Sequence, residues 1–378
     1  MKKLAGCAMV LSVSRLTATL VDGLVGGHRP LYSAAVALIQ RGGHPTDLVT
    51  VGHLSRYADA DGTPVAPEAL QPALESTIFD LASVTKLFTT TVLLGLVDEG
   101  RMSLDEPIAD WLPTFGGDER RRITLRHLLS HTSGLPALLQ LWTDWPEPAS
   151  RVQAVLRAPL VNRPGASFEY SCVGFMVAGL LAERITGQPL PDLVHERICR
   201  PLGLTDTGFL PDPARAARAA ATEHQPHLGR GMLRGSVHDE NSWSLGGTAG
   251  NAGLFGTAAD VARFGELLRQ GGAVDGVRVL RPETVAEMTR DQLPPAIDPG
   301  FRHGLGVRIG DPHWMGTLAA DGAFGHTGFT GTSLLVDPSR DLVVVLLTNR
   351  VHPSREWSDI AEIRRAVAEF AAPPVCRG

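Results

Sequence analysis

The tetrapeptide Ser83-Val84-Thr85-Lys86 holds the pair of residues in this chain best suited to chemistry. A serine hydroxyl is a weak nucleophile until a neighbouring base takes its proton. A lysine three residues further along a helix lies on the same face, one turn away, so its amine can reach that hydroxyl. The segment from Val84 to Glu99 reads as a helix following Phe79-Asp80-Leu81-Ala82. Ser83 therefore stands near a helix start, where unpaired N–H groups and the positive dipole end favour developing negative charge. Ser-x-x-Lys is the arrangement of a serine nucleophile activated by a neutral amine. It sets an electrostatic requirement. At pH 7 an ordinary lysine is neutral about once in 2,500 molecules, a cost of roughly 4.6 kcal/mol. Burial or a second cation must reduce that cost, or a partner must share the proton.

The motif alone is weak evidence, because with 19 serines in 378 residues a given lysine has about a one-in-twenty chance of one three positions before it. Composition strengthens it. Of 35 basic residues only three are lysines, Lys2, Lys3 and Lys86, and the rest are arginines. Arginine serves wherever a fixed positive charge suffices, but it cannot give up its proton. A lone internal lysine marks a task only lysine can do, against the alternative of codon bias. A second scarce residue is Tyr170, one of three tyrosines, at the junction between Arg163-Pro164-Gly165-Ala166-Ser167-Phe168-Glu169 and a helical segment. A phenol both donates and accepts a proton, so a tyrosine there can shuttle one among serine, lysine and leaving group. Taken alone it reads as a packing aromatic rather than a proton shuttle.

These residues need a scaffold, and the chain supplies one. A chain of 378 residues, 43% hydrophobic and 20% charged, is ample for one large or two interleaved domains. A net charge of −5 with no basic stripe argues against a nucleic-acid partner. No apolar run reaches the ~18 residues a membrane span requires. The four cysteines, Cys7, Cys172, Cys199 and Cys376, have neither disulfide nor metal spacing, which fits a reducing compartment. Lys2-Lys3 followed by Ala5 to Val13 loosely resembles a signal peptide, and Leu4-Ala5-Gly6-Cys7 a lipoprotein box. Arg15 closes the short apolar stretch without a cleavage site, so an uncleaved helix and a cytoplasmic enzyme are expected, with export as the alternative.

Residues 16–25 read as a short amphipathic helix, and Leu31 to Gln40 and Leu48 to Leu54 as strands about a turn at Gly42-Gly43-His44-Pro45. Helices follow at Leu125 to Leu129, Val152 to Arg157, Tyr170 to Ile185 and Leu190 to Ile198. Gly304 to Ile309, Thr330 to Val336 and Leu342 to Thr348 read as strands, with a turn at Asp337-Pro338-Ser339-Arg340, and Asp359 to Phe370 as a closing helix. Strands at both ends with helices between them predict an α/β fold, an antiparallel sheet flanked by helices with an inserted, mainly helical domain. The expected division is residues 1–65 plus 230–378 for the sheet domain and 66–229 for the helical one, with the active site in the cleft between them.

With these elements in place the sequence resembles a known family. Ser83-x-x-Lys86, then Pro164-Gly165 to Tyr170-Ser171, then His326-Thr327-Gly328 resemble the three motifs of the class C β-lactamase, DD-peptidase and esterase family. The run Ile123 to Pro136, containing His131-Thr132-Ser133-Gly134, is similar to that family too, as is Val237 through Asn241 to Phe255. The resemblance covers roughly residues 15–370. It implies a β-lactamase/transpeptidase-like fold, Ser83 as nucleophile, and Lys86 with Tyr170 as the proton-transfer pair. It also implies an oxyanion hole from the backbone N–H groups of Ser83 and Phe329, a two-step reaction through an acyl-Ser83 intermediate, and no cofactor.

Two departures bear on the substrate. His326 stands where the family has the lysine of Lys-Thr-Gly, and histidine is mostly neutral at pH 7, which weakens attraction for a substrate carboxylate. Cys172 stands where Tyr-x-Asn is usual, and a thiol is a poor substitute for an amide that donates and accepts. The first departure resembles the esterase, aminopeptidase and transacylase branches, and the second argues against peptide-like side-chain recognition. The expected substrate is a small ester or amide whose acyl group passes to water, an amine or an alcohol. The alternatives are a secreted DD-peptidase or β-lactamase, and a non-catalytic penicillin-binding-like sensor. His326, Thr327, Gly328, Cys172 and Trp142 are the expected substrate contacts. Trp145, Trp314 and Phe329 are further candidates for an acyl pocket. His238, Asp239 and Glu240, with His224 and His227, fall short of a zinc signature, and no metal is expected. His127 and His131 are expected to frame a turn beneath the cleft.

Overall fold

The computed structural model describes residues 15–25, 29–117, 119–297 and 300–372. The expected signal-like segment before Arg15 lies outside them. Its centre is a seven-stranded antiparallel sheet. The strands are β1 (Ala34–Arg41), β2 (His44–Gly52), β3 (Arg302–His303), β4 (Arg308–Ile309), β5 (Phe324–Thr327), β6 (Ser333–Asp337) and β7 (Leu342–Thr348). Their order is β2-β1-β7-β6-β5-β4-β3. The two chain ends meet where β1 pairs with β7, Leu38 opposite Val345. Both β1 and β7 are almost wholly buried, and their continuous apolar runs are those of strands covered on both faces.

One face of the sheet carries Ala35, Ala37, Ile39, Leu335 and Val344 against helix α1 (residues 15–25) and the C-terminal helix α6 (Ala361–Ala371). The other face, with Val36, Leu38, Leu334 and Val345, joins the larger core. Helix α5 (Ala258–Arg269) packs there so closely that a Cβ on Gly265 would lie 2.7 Å from Val343. That core runs on through α2 (Thr85–Asp98), α3 (Leu125–Leu129) and α4 (Cys172–Thr186). Helix α2 is buried nearly all round, at 11 of its 14 residues, threonines and Lys86 included, which makes it a central helix rather than a surface one. No helix among the described residues is long and apolar enough to cross a membrane.

The expected strand Gly304 to Ile309 is not continuous. The chain curls between β3 and β4, because Gly306 has φ +70° and its N–H donates to Leu129 O at 2.8 Å. A Cβ on Gly304 would lie 2.2 Å from Met288 O. Gly306 serves close backbone approach to α2 and α3, and Gly304 to the backbone at Met288, which an apolar pattern read as strand cannot reveal. The expected strand from Thr330 starts only at Ser333, because residues 328–331 turn over the nucleophile. The helix expected from Tyr170 begins at Cys172, where the Ser171 hydroxyl accepts the Gly174 N–H at 2.9 Å and caps it. Tyr170 is left on extended chain, facing the cleft.

Candidate active site

Ser83 lies in a tight turn, Ala82–Val84, that leads into α2. The residue before it, Ala82, is held at φ +46°, an unfavourable conformation for a residue with a Cβ. Asp80 imposes this turn. Its buried carboxylate accepts the Ala82 N–H at 2.8 Å and the His238 N–H at 2.7 Å. Burial raises the Asp80 carboxyl above its ordinary value despite those two donors. From the other side, Thr330 donates to Asp80 O at 2.7 Å and Thr332 to Leu81 O at 2.9 Å. The turn after β5 is thus clasped to the backbone just before the nucleophile.

Lys86 is fully buried, and its ammonium donates to Ser83 Oγ at 2.8 Å and to Asn251 O at 3.0 Å. Cys172 Sγ lies 3.7 Å away, and the Tyr170 and Phe175 rings have their centroids 5.0 and 5.6 Å from Nζ. Burial opposes the charge on Lys86, but Cys172, Tyr170 and Asp239 together outweigh it and hold the group above its ordinary value. Lys86 is therefore not lowered, and the Tyr170 side chain lies beside it. Burial also pushes the Cys172 thiol up, against the pull of Lys86.

The expected site residues divide into two groups. Ser83, Tyr170, Cys172, Thr327, Gly328 and Phe329 all line one cleft of about 600 Å³, within the usual range for a small-molecule site. Gly328 has to be glycine, since a Cβ there would lie 2.6 Å from Leu81 O. The Phe329 N–H has no hydrogen-bond partner among the described residues, and its half-exposed ring stacks on His238 with Arg350 4.4 Å above it. His326 is buried behind the wall, with Nδ1 2.8 Å from Thr327 O. Burial, then Lys86 and Arg308, hold its imidazole well below the usual range, so it is neutral, as expected from its type. Trp142 does not line the cleft, and Leu138 does. Trp314 is buried in the core beside α6.

The histidines and carboxylates of the 223–240 region form structure rather than a metal shell. His238 Nε2 lies 2.9 Å from Glu223, which also pairs with Arg355, and Arg355 pairs with Glu240. Burial resists charge on Glu223, but His238 and Arg355 outweigh it and hold the carboxyl low. His127 caps α3 with Thr124, as expected of a turn-framing residue. His131 lies deeper, with its ring centroid 4.5 Å from that of Tyr170 and Nδ1 accepting the Ser171 N–H at 3.0 Å.

Sequence reasoning missed Asn251, whose carbonyl anchors Lys86, and the cationic lining. Arg308, Arg350, Arg355 and Arg364 all face the cleft. Arg308 pairs with Asp311 and Arg355 with the two glutamates, while Arg350 and Arg364 have no ion pair among the described residues. The neutral His326 therefore does not leave the cleft without positive charge. In a chain with 32 arginines no local pattern singles these four out.

The fold and its neighbours define a serine hydrolase and acyltransferase of the β-lactamase/transpeptidase-like class. The chain belongs to the family described as Beta-lactamase, whose model matches residues 17–369. It is 35% identical over 313 residues to a protein of Escherichia coli K12 named "Putative D-alanyl-D-alanine carboxypeptidase", covering 74% of this chain and 70% of that one. Among solved structures it resembles EstCE1, titled a hydrolase with promiscuous acyltransferase activity, at 25% identity and a TM-score of 0.71, covering 97% and 100% of the two chains. A mutant of simvastatin synthase from Aspergillus terreus is similar at 25% identity and a TM-score of 0.71, covering 95% and 94%.

Proposed function

We propose that this protein is an esterase or transacylase that moves an acyl group from a small ester or amide to water, an amine or an alcohol through acyl-Ser83. The observation that carries the reading is the 2.8 Å contact of a fully buried lysine with the hydroxyl of a serine on a conformationally forced turn. Ser83 Oγ attacks the acyl carbon while its proton passes to the Lys86–Tyr170 pair, which in the reactive form holds one proton fewer than an ammonium plus a phenol and so has a site to take it. The carbonyl oxygen gathers negative charge, to which the N–H groups of Ser83 and Phe329 donate. The bond to the leaving group breaks as the pair returns the proton to that group. Water or an acceptor then attacks the acyl carbon, gives its proton to the pair, and Ser83 Oγ leaves with that proton.

A second reading, a DD-peptidase, is favoured by the arginine-rich cleft and by the name of the Escherichia coli relative. One experiment separates the two. A panel of p-nitrophenyl esters, β-lactams and D-alanyl-D-alanine peptides, each with and without an added amine, is followed by mass analysis of products and protein. Turnover of the esters with amine acylation, and none of the peptides, supports the transacylase. Peptide cleavage without ester turnover would overturn it.

A further inference from the structure

The carbonyl of Gly328 and the N–H of Phe329 belong to one peptide unit. Arg364, from α6, donates through Nη2 to Gly328 O at 2.6 Å and to Thr332 O at 3.0 Å. It has no ion pair among the described residues, its Nε is buried without a partner, and it lines the cleft beside Ser83. On the far side of the same residue, Arg350 Nε donates to Phe329 O at 2.7 Å. Both carbonyls flanking the Phe329 N–H are thus held by guanidinium groups. A half-buried cation with no ion-pair contact among the described residues and a buried, unpartnered Nε calls for a reason.

We infer that Arg364 is a positioning residue for the oxyanion hole, orienting and polarising the Gly328–Phe329 peptide so that the Phe329 N–H donates more strongly to the developing oxyanion. Hydrogen bonds in a chain polarise one another, and a charged donor on the carbonyl draws electron density away from the N–H of the same peptide. The Thr332 and Thr330 clasps to Leu81 and Asp80 then hold that N–H in fixed register with Ser83. This inference rests on the proposed acyl-Ser83 reaction.

The test compares wild type with Arg364→Met, Arg364→Gln and Arg364→Lys. All are checked for folding by thermal melting and assayed on neutral p-nitrophenyl esters and on matched esters carrying a carboxylate. Arg364→Met is expected to lower kcat about 10- to 100-fold, less than the loss of a whole oxyanion donor, with KM changed less than about threefold. Both ester series should fall alike, and Arg364→Lys should recover part of the loss. In the acyl-enzyme, the isotope-edited infrared stretch of the ester carbonyl should move to higher frequency, as the hydrogen bond to its oxygen weakens. If the Met variant does not fold, the Gln variant, which keeps a neutral donor, should show a loss in the same direction and larger than that of the Lys variant. Unchanged kcat and carbonyl stretch in a folded variant would overturn the inference. So would a loss confined to KM for the carboxylate esters, which would make Arg364 a receptor for a substrate anion. If the wild-type protein forms no acyl-Ser83 at all, the failure lies with the proposed function instead.

Discussion

Replacing Lys86 separates catalysis from stability, because the group is central to one and costly to the other. Its ammonium has no exposed surface and is satisfied by Ser83 Oγ, Asn251 O and the Cys172 sulfur. Lys86→Met keeps the volume and removes the charge. The loss leaves Asn251 O without its donor, about 1–3 kcal/mol, and relieves the desolvation of a buried ammonium, which is several kcal/mol. The two nearly offset, so the unfolding free energy should change by less than about 2 kcal/mol. Activity should not survive. A positioned proton-transfer group contributes about 10²–10⁴-fold, or roughly 2.7–5.4 kcal/mol of transition-state stabilisation. Lys86→Arg should be nearly as damaging, since it keeps the charge but cannot pass a proton. The assay is kcat/KM on a p-nitrophenyl ester together with urea unfolding of the same preparations. A folded Lys86→Met or Lys86→Arg variant keeping more than about a tenth of wild-type activity would refute the role of Lys86 in proton transfer.

Two further outcomes follow from the buried polar groups. Burial holds His303 down to about 3 and His352 to about 4, so both are neutral in the folded protein, whereas the unfolded chain takes up protons below its ordinary value near 6.5. The unfolded state then binds more protons, and stability should be flat above about pH 6.5. Below it, each of these histidines should cost up to about 1.4 kcal/mol per pH unit until its folded-state value is reached. Urea titrations from pH 8 to 4 measure the slope, and a stability independent of pH across 6.5–4.5 would contradict the buried neutral state. Asp80→Ala should cost about 2–5 kcal/mol and most of the activity, because it orphans the Ala82 and His238 N–H groups on the nucleophile's turn. A change below about 0.5 kcal/mol would show that Asp80 does not hold that turn.

Ser83, Lys86 and Tyr170 were legible in the sequence because each signal is local or compositional: an i,i+3 spacing, a scarce lysine, a scarce tyrosine before a capped helix. The strands β1 and β7 were legible because they are apolar runs beside turns marked by glycine or proline, and β2 because the Gly42-Gly43 turn joins it to β1. What escaped was set by contacts between distant segments. Asn251 meets Lys86 across 165 positions, through a backbone carbonyl that any residue type could supply. Arg364 reaches Gly328 from a helix that reads only as amphipathic and closing. Gly304 and Gly306 fall within what reads as one strand and instead admit close backbone approach, Gly304 to Met288 and Gly306 to α2 and α3. The inference drawn from His326 was incomplete about the cleft, because four arginines from β4 and from residues 350–364 bring positive charge to the same space.

The central claim is an acyl group carried on Ser83. Wild-type protein and Ser83→Ala are each mixed with a slowly hydrolysed ester, quenched in acid within the first turnover, digested and weighed. The account predicts one added acyl mass on the peptide containing Ser83 in the wild type and none in Ser83→Ala, which should also lose turnover. An acyl mass on the Cys172 peptide instead, or turnover retained in Ser83→Ala, would contradict it.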